Sequence, residues 1–289
     1  MTTTVDAAPV PAAAPPTPST FRRALKQKRF LFGGILTLLV ALFAVFGRFV
    51  APHGQNEVVG PPYSSQGALG TDYLGQDVLS RLMYGGTEIL VIALLATVLS
   101  TVVGTLIGVV AAYGGGWWDE VIMRLNDVML AFPQILLSLV VLSAVGQPRA
   151  WMLVVLVGLS NAPRTARIAR GVALGLVSRD FVHAAEALGE RRSRVILAEV
   201  LPNMNAPLLA EAGLRLTFSI TLVAALGFLG LTTDPSAANW GQMIQENRLG
   251  LSTQSWSVLA PVFLIGLFTI GTNLTADGIA QVTQRGGDD

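Results

Sequence analysis

A chain of 289 residues that is 52% hydrophobic and only 13% charged, with mean hydropathy +0.59 and net charge +1, is too apolar for a water-soluble domain. It reads as a polytopic membrane protein. The near-neutral balance leaves no footprint for a nucleic-acid partner, and the absence of cysteine removes disulfides, thiolate catalysis and cysteine-ligated metal.

Residues 1–20, rich in Ala, Pro and Thr, are expected to form a disordered tail. The next segment, 21–50, carries Arg22, Arg23, Lys26, Lys28 and Arg29 and then an apolar run from about Phe30 to Val50, long enough to cross a bilayer. An uncleaved first span is expected, because the run is too long for a signal peptide and lacks an A-x-A site. Residues 51–86 read as an extracytoplasmic loop. Five further spans are expected at roughly 87–112, 121–145, 151–168, 205–229 and 257–276, in a core of residues 87–289.

Within those spans, Gly104 and Gly108 form a GxxxG pattern that admits close helix approach, read as packing in preference to a hinge. Pro133 should kink the third span, as a gate or as a shaper of the bundle. Asn126 and Asp127 lie one to two turns into the same span. Glu211 and Arg215 stand four apart on one face of the fifth span and can pair; they line a translocation path or form an intrahelical pair near the cytoplasmic end.

Between the fourth and fifth spans lies a polar island, 179–203, which reads RDFVHAAEALGERRSRVILAEVLPN from Arg179 to Asn203. Ala184, Ala185 and Gly189 follow the pattern A-A-x-x-x-G. Read physically, this is a short helix with one low face, a break at Gly189 in the left-handed C-cap conformation, and a second short helix opened by Arg191, Arg192 and Arg194. Pro202 is expected to end that second helix. Taken alone, the island also fits an amphipathic surface helix.

Charge placement orients the spans. Thirteen Lys/Arg sit in the N-terminal segment, the fourth-to-fifth loop and the C-terminal tail, against Arg81, Arg149 and Arg248 in the opposite loops. The positive-inside rule therefore puts both termini and the island in the cytoplasm. Trp117, Trp118, Trp151, Trp240 and Trp256 fall at or beyond span ends, where interfacial anchoring is expected.

Several segments in order carry a resemblance. Leu69-Gly70-Thr71-Asp72 with Leu74-Gly75-Gln76-Asp77-Val78-Leu79-Ser80-Arg81, then Tyr113-Gly114-Gly115, Asp119, Met123-Arg124, Asp127 and Ala131-Phe132-Pro133, resemble signatures of the C-type permease of bacterial dipeptide and oligopeptide ATP-binding-cassette importers. The island resembles that family's cytoplasmic coupling, or EAA, loop. Leu226 to Gly230, Trp240-Gly241-Gln242-Met243, Asn273-Leu274 and Asp277-Gly278 resemble its C-terminal signatures. The departures are Gln76 for arginine, His183 for the namesake glutamate, Glu199 for isoleucine and Val223 for glutamate.

The resemblance implies an all-α membrane protein of the type I importer permease fold, with six transmembrane helices and both termini inside. Spans two to six would form the core, with the first span peripheral. It implies a B-type permease partner, two ATPase subunits and an extracytoplasmic substrate-binding protein in a lipid membrane. The coupling set would be Val182, His183, Ala184, Ala185, Glu186, Gly189, Arg191, Arg192, Leu201 and Pro202, with Asp127, Pro133, Glu211 and Arg215 at a pore or gate. Asp72, Gln76, Asp77 and Arg81 would make contacts in the outer loop, to a partner or merely to stabilise the first hairpin.

No G-x-x-x-x-G-K-[ST] occurs, so ATP and Mg would be used by separate subunits; no cofactor, metal or catalytic residue is expected on this chain. An intramembrane enzyme is disfavoured because the two histidines, His53 and His183, fall outside the spans. A secondary transporter or channel would not need an ATPase-docking loop. Peptides, nickel, glutathione or another small solute would be the cargo.

Overall fold

The computed structural model describes residues 27–285. The expected tail at 1–20 and the cations Arg22, Arg23 and Lys26 lie outside the described residues. Those residues are all-helical apart from turns and two isolated antiparallel bridges, Val58 with Gln76 and Thr71 with Asp77.

The helices run α1 (Lys28–Phe46), α2 (Val78–Gly114), α3 (Gly116–Ala131), α4 (Gln134–Val145), α5 (Ala150–Val177), α6 (Asp180–Ala187), α7 (Arg192–Val195), α8 (Leu201–Phe228), α9 (Trp240–Asn247) and α10 (Trp256–Arg285). A 3-10 turn, Gly47–Phe49, extends α1, and a π turn, Ile196–Val200, joins α7 to α8. Four helical segments, Lys28–Phe49, Val78–Gly114, Arg192–Phe228 and Trp256–Gln281, are long and apolar enough to cross a membrane, and α3 with α4 makes a fifth if that bent pair is one span. Helix α5 has 28 residues but falls outside that set, since its second half carries Arg164, Arg167 and Arg170.

The bundle is organised around the pair α2 and α5, with α8 packed on both and α10 on α8; α1 lies at the edge against α10 and α2. Gly104 and Gly108 set the α2–α5 contact. A Cβ at Gly104 would stand 2.6 Å from the Ala162 carbonyl oxygen, and one at Gly108 2.7 Å from the Arg170 backbone nitrogen, so only glycine lets the backbones meet this closely. Two apolar cores result. The larger gathers Ile89, Ile92, Leu142, Leu153, Val157, Ile220, Leu226 and Trp240, with Val223 among them. The smaller lies at the arginine-rich end, where Val109, Ala112, Ala169 and Ala173 meet Val182, Val195, Val200 and Met204.

Three expectations change. The third span is broken and not merely kinked: α3 and α4 meet at 78° around Phe132–Pro133. Phe132 is extended (φ −83°, ψ 129°), as a residue before proline is driven to be, and Pro133 heads α4 with its missing N–H at a position where no helical bond is lost. Pro202 does not end a helix. It occupies the first turn of α8, and the helix runs through it because the preceding π turn has widened the ladder: the Leu201 N–H bonds the Ile196 carbonyl. Trp240 is no interfacial anchor. It is 1% exposed, with its indole N–H donating to the Leu82 carbonyl at 2.8 Å, whereas Trp117, Trp118, Trp151 and Trp256 are exposed.

Candidate functional site

One end of the bundle carries the arginine-rich element, α6 to the π turn. Its first helix is seated on the bundle by Val182, wholly buried among Val109, Ala169 and Ala173 at the ends of α2 and α5, with half-buried Ala185 packed against the same cluster. The Tyr113 hydroxyl at the end of α2 adds a short hydrogen bond to the Glu186 carboxylate. With Val182 facing in, the helical period turns His183, Ala184, Glu186 and Ala187 outward, and all four are exposed.

Helix α6 stops as its sequence demands. Gly189 is left-handed (φ +80°), and the Glu190 N–H reaches back to the Ala185 carbonyl at 3.2 Å. Arg191 is the N-cap of α7, Arg192 its first residue, and both are exposed; Leu201 is half-buried and Pro202 exposed. Between α6 and the π turn lies a shallow cavity of about 190 Å³, bordered by Ala185, Leu188, Val195, Ala198 and Glu199, with Glu190 and Arg194 paired at 3.3 Å on its rim. Leu188 is 85% exposed and Leu197 also stands in the open, so this element presents small and apolar side chains outward from a firmly seated base. The His183–Glu186 pair at 3.9 Å and Glu199, at the cavity wall, are additions that the A-A-x-x-x-G pattern did not disclose.

Near the same end, α3 is tied to α5 by two ion pairs, Asp127 with Arg167 at 2.6 Å and a bidentate Asp119–Arg170 pair at 2.5 Å. Asn126, buried one residue before, donates to the Pro163 carbonyl at 2.9 Å. Glu211 and Arg215 do pair, at 2.8 Å, both buried in α8. The Thr165 hydroxyl reaches the Glu211 carboxylate at 3.5 Å, and the guanidinium lies 4.8 Å over the Phe218 ring. Further along the interior, the Thr97 hydroxyl meets Ser219 at 3.1 Å and Asn161 donates to Ser219 at 3.3 Å. These polar groups are brought together from α2, α5 and α8, and their spacing in sequence carried no sign of it.

The opposite end is a folded cap. Asp77 is the N-cap of α2, accepting from the Ser80 N–H at 2.9 Å and the Ser80 hydroxyl at 2.5 Å. Asp72 accepts from the backbone of Leu74 at 2.9 Å and of Gln76 at 2.8 Å, and closes a short ion pair with Arg81. Arg81 lies inside α2 and also reaches Glu246 on α9 at 3.2 Å. All four residues, Asp72, Gln76, Asp77 and Arg81, are buried; Asp72, Gln76 and Asp77 knit the loop to the start of α2, and Arg81 braces it against α9. Burial, and next the neighbouring Glu246 charge, hold the Tyr73 phenol above its ordinary pKa, with Arg81 pulling the other way.

Glu88 is a functional-looking carboxylate that sequence reading passed over, since it sits at the start of an apolar span. It accepts from the Thr233 N–H at 3.2 Å and from Asn239 at 2.8 Å, while Asn239 caps α9. Its signal was a lone acid two residues into the expected span. Among the described residues, no group of three or more His, Cys, Asp or Glu side chains could hold a metal ion.

The fold is thus a polytopic membrane bundle with a folded element at each end, one outward-facing and basic, the other a buried brace. Residues 104–286 match the family described as binding-protein-dependent transport system inner membrane component, and residues 16–68 match the N-terminal TM domain of oligopeptide transport permease C. The chain belongs to the family of binding-protein-dependent transport system inner membrane components. It is 32% identical to a dipeptide transport system permease protein of Alkalihalophilus pseudofirmus, over 92% of this chain and 89% of that one. It is 34% identical to a di/tripeptide transport system permease protein of Pseudomonas aeruginosa, over 90% and 89%. A glutathione transport system permease protein of Shigella dysenteriae is 32% identical over 90% of this chain and 87% of its own length.

Proposed function

We propose that this chain is the permease subunit of an ATP-driven importer, forming half of a translocation pore and carrying peptides of a few residues. The observation that carries the reading is α6: a short helix seated on the ends of α2 and α5 by Val182, with a low outward face at Ala184 and an exposed Leu188. A partner that grips this face moves the two helices at the centre of the bundle. The coupling set is the series from Val182 to Pro202, and the element acts as a lever on the ends of α2 and α5. ATP and Mg belong to two partner ATPase subunits. A B-type permease completes the pore, and an extracytoplasmic binding protein delivers cargo to the braced end, so the chain's part in the cycle is mechanical.

In this reading the chain crosses the membrane six times with both termini inside. Helix α5 is the crossing that composition alone does not select; its arginines at 164, 167 and 170 belong to the cytoplasmic end, and two of them are neutralised by Asp127 and Asp119. Pro133 and Asp127 border the path of the cargo, with the buried Glu211–Arg215 pair supporting its wall from within the chain. Names carried by the relatives support peptides as cargo, and the glutathione permease relative supports a second reading, a modified tripeptide thiol.

The test is co-purification with the neighbouring ATPase subunits and measurement of ATP hydrolysis in lipid vesicles. Dipeptides or tripeptides supplied with the binding protein should raise hydrolysis, and glutathione should do so only if the second reading holds. Absence of any ATPase association with the intact chain would reject the importer reading.

A further inference from the structure

Helix α4, the second half of the broken third span, is sparsely buried and bounded by a break at each end. Its 12 residues bury only Ser138 and Leu142, while Ile135, Leu136, Leu137, Val140, Val141 and Val145 remain exposed on the chain. Both of its ends are discontinuities. At one, the backbone breaks by 78° at Phe132–Pro133; at the other, Gly146 is left-handed (φ +86°) with nothing within 4 Å of the position its Cβ would take.

Leu142 seats α4 in the larger core and the helix also packs on α8, but its fastening to α5 is narrow. The Gln134 side-chain amide, in its first turn, donates to the Ser160 carbonyl on α5 at 2.5 Å and touches the Asn161 side chain at 3.5 Å. One turn on, the Ser138 hydroxyl is fully buried and has no hydrogen-bond partner, a defect in the one face by which α4 is docked. Beside it, between α3, α4 and α5, lies a cavity of about 330 Å³ with apolar walls that include Met129, Phe132, Leu137, Val141 and Leu156. Gln134 and Ser160 are among its few polar linings. By contrast, α3 on the other side of the break is fastened to the same α5 by Asn126 and two ion pairs.

We infer that α4 is a hinged arm, pivoting between the Phe132–Pro133 break and Gly146, and that the Gln134 amide on the Ser160 carbonyl is the tether that holds it against α5. The geometry supplies each part such a device needs. Two backbone discontinuities let the arm turn without distorting the helix, the cavity gives it volume to sweep, and a single amide reaching a carbonyl of the partner helix makes the docked position specific. The unpaired Ser138 hydroxyl weakens that position, so undocking exchanges an imperfect contact for another. Gln134 is accordingly a positioning residue, which sets where α4 stands against α5. The inference concerns the chain's own motion and stands apart from the ATPase-coupling reading.

The experiment uses the complex in lipid nanodiscs, with spin labels on cysteines introduced into this cysteine-free chain. One pair, Val140→Cys with Val155→Cys, reports α4 against α5; a second, Val102→Cys with Ile168→Cys, reports the glycine-seamed α2–α5 contact. Gln134→Leu, which keeps the bulk and removes the donor, should broaden or shift the first distance distribution and leave the second unchanged. Ser138→Ala, which removes the unpaired hydroxyl, should act in the opposite sense and narrow the first. Identical first-pair distributions in the parent and both variants would overturn the inference, as would equal changes in both pairs. Hydrolysis measured on the same samples keeps the two readings separate. If α4 moves as stated while no ATPase binds, the arm stands and the importer reading falls; if hydrolysis is stimulated with α4 unmoved by Gln134→Leu, the reverse holds.

Discussion

Replacing Glu211 by glutamine removes one charge from a buried pair without changing its shape, and the structure sets the consequence. The carboxylate and the Arg215 guanidinium are 2.8 Å apart, with side chains 5% and 9% exposed. At that separation an effective dielectric of ~20 corresponds to roughly 6 kcal/mol of attraction, much of it offset by the desolvation of both ions. Taking away only the anion leaves the guanidinium buried with that cost uncompensated, which typically amounts to about 3–5 kcal/mol. Glutamine keeps an acceptor oxygen near Arg215, so a loss near the lower end, about 3 kcal/mol, is expected. The partner change Arg215→Met in the same chain should restore most of the loss, since a thioether over the Phe218 ring replaces the cation and no unpaired ion remains. The assay is equilibrium unfolding in mixed micelles for wild type, both single variants and the double variant, analysed as a double-mutant cycle. A Glu211→Gln variant within ~0.5 kcal/mol of wild type would refute the reasoning, because it would mean the pair is not desolvated.

Arg81→Ala leaves Asp72 and Glu246 facing each other without their shared cation, so the outer cap should loosen; protease sensitivity between residues 51 and 77 should rise while α6 keeps its ATPase contacts. On the coupling element, Ala184→Trp is a cleaner probe than a change at Gly189, whose left-handed backbone strains any side chain before a partner is met. It should leave membrane levels unchanged and abolish ATPase association, and normal association would reject α6 as the docking helix. Cysteines at Ser193 and Ser236 should be labelled only from the cytoplasmic and only from the outer side respectively; labelling of both from one side would reject the six-crossing topology. Gly104→Leu should cost about 1–3 kcal/mol of stability, read by thermal unfolding, because its Cβ would lie 2.6 Å from both the Ala162 carbonyl and the Thr165 Cβ. A neutral result would argue against close α2–α5 packing.

Local chemistry was legible where one short segment decides the outcome. Gly189 ends α6 in the left-handed conformation because no other residue takes it at so little cost, and Glu211 pairs with Arg215 because four residues is one helical turn. Apolar length located four spans, and a fifth if the bent pair α3–α4 is one crossing, but it did not select α5. Reading failed where a distant segment chooses between two locally sensible states. Trp240 sits where an interfacial anchor would sit, yet the Leu82 carbonyl on another helix claims its N–H. Pro202 carries a stop signal that a π turn five residues long absorbs, and nothing in Ile196–Val200 announces a widened ladder. The polar contacts among Thr97, Asn161 and Ser219 were equally invisible, since each partner is a single hydroxyl or amide in an apolar helix.

The Trp240 indole and the Leu82 carbonyl that it binds are 158 residues apart, and Arg81, beside Leu82, waits for Glu246 on the same short helix. A ribosome adding roughly 5–20 residues per second needs about 8–30 s to cover that interval. For that time the first two helices lack their contacts with α9: the Leu82 carbonyl is without the indole, and Arg81 holds Asp72 but not Glu246. These two contacts therefore close only once α9 has been made, and a nascent chain halted before α9 leaves Arg81 without Glu246 and the Leu82 carbonyl without the indole.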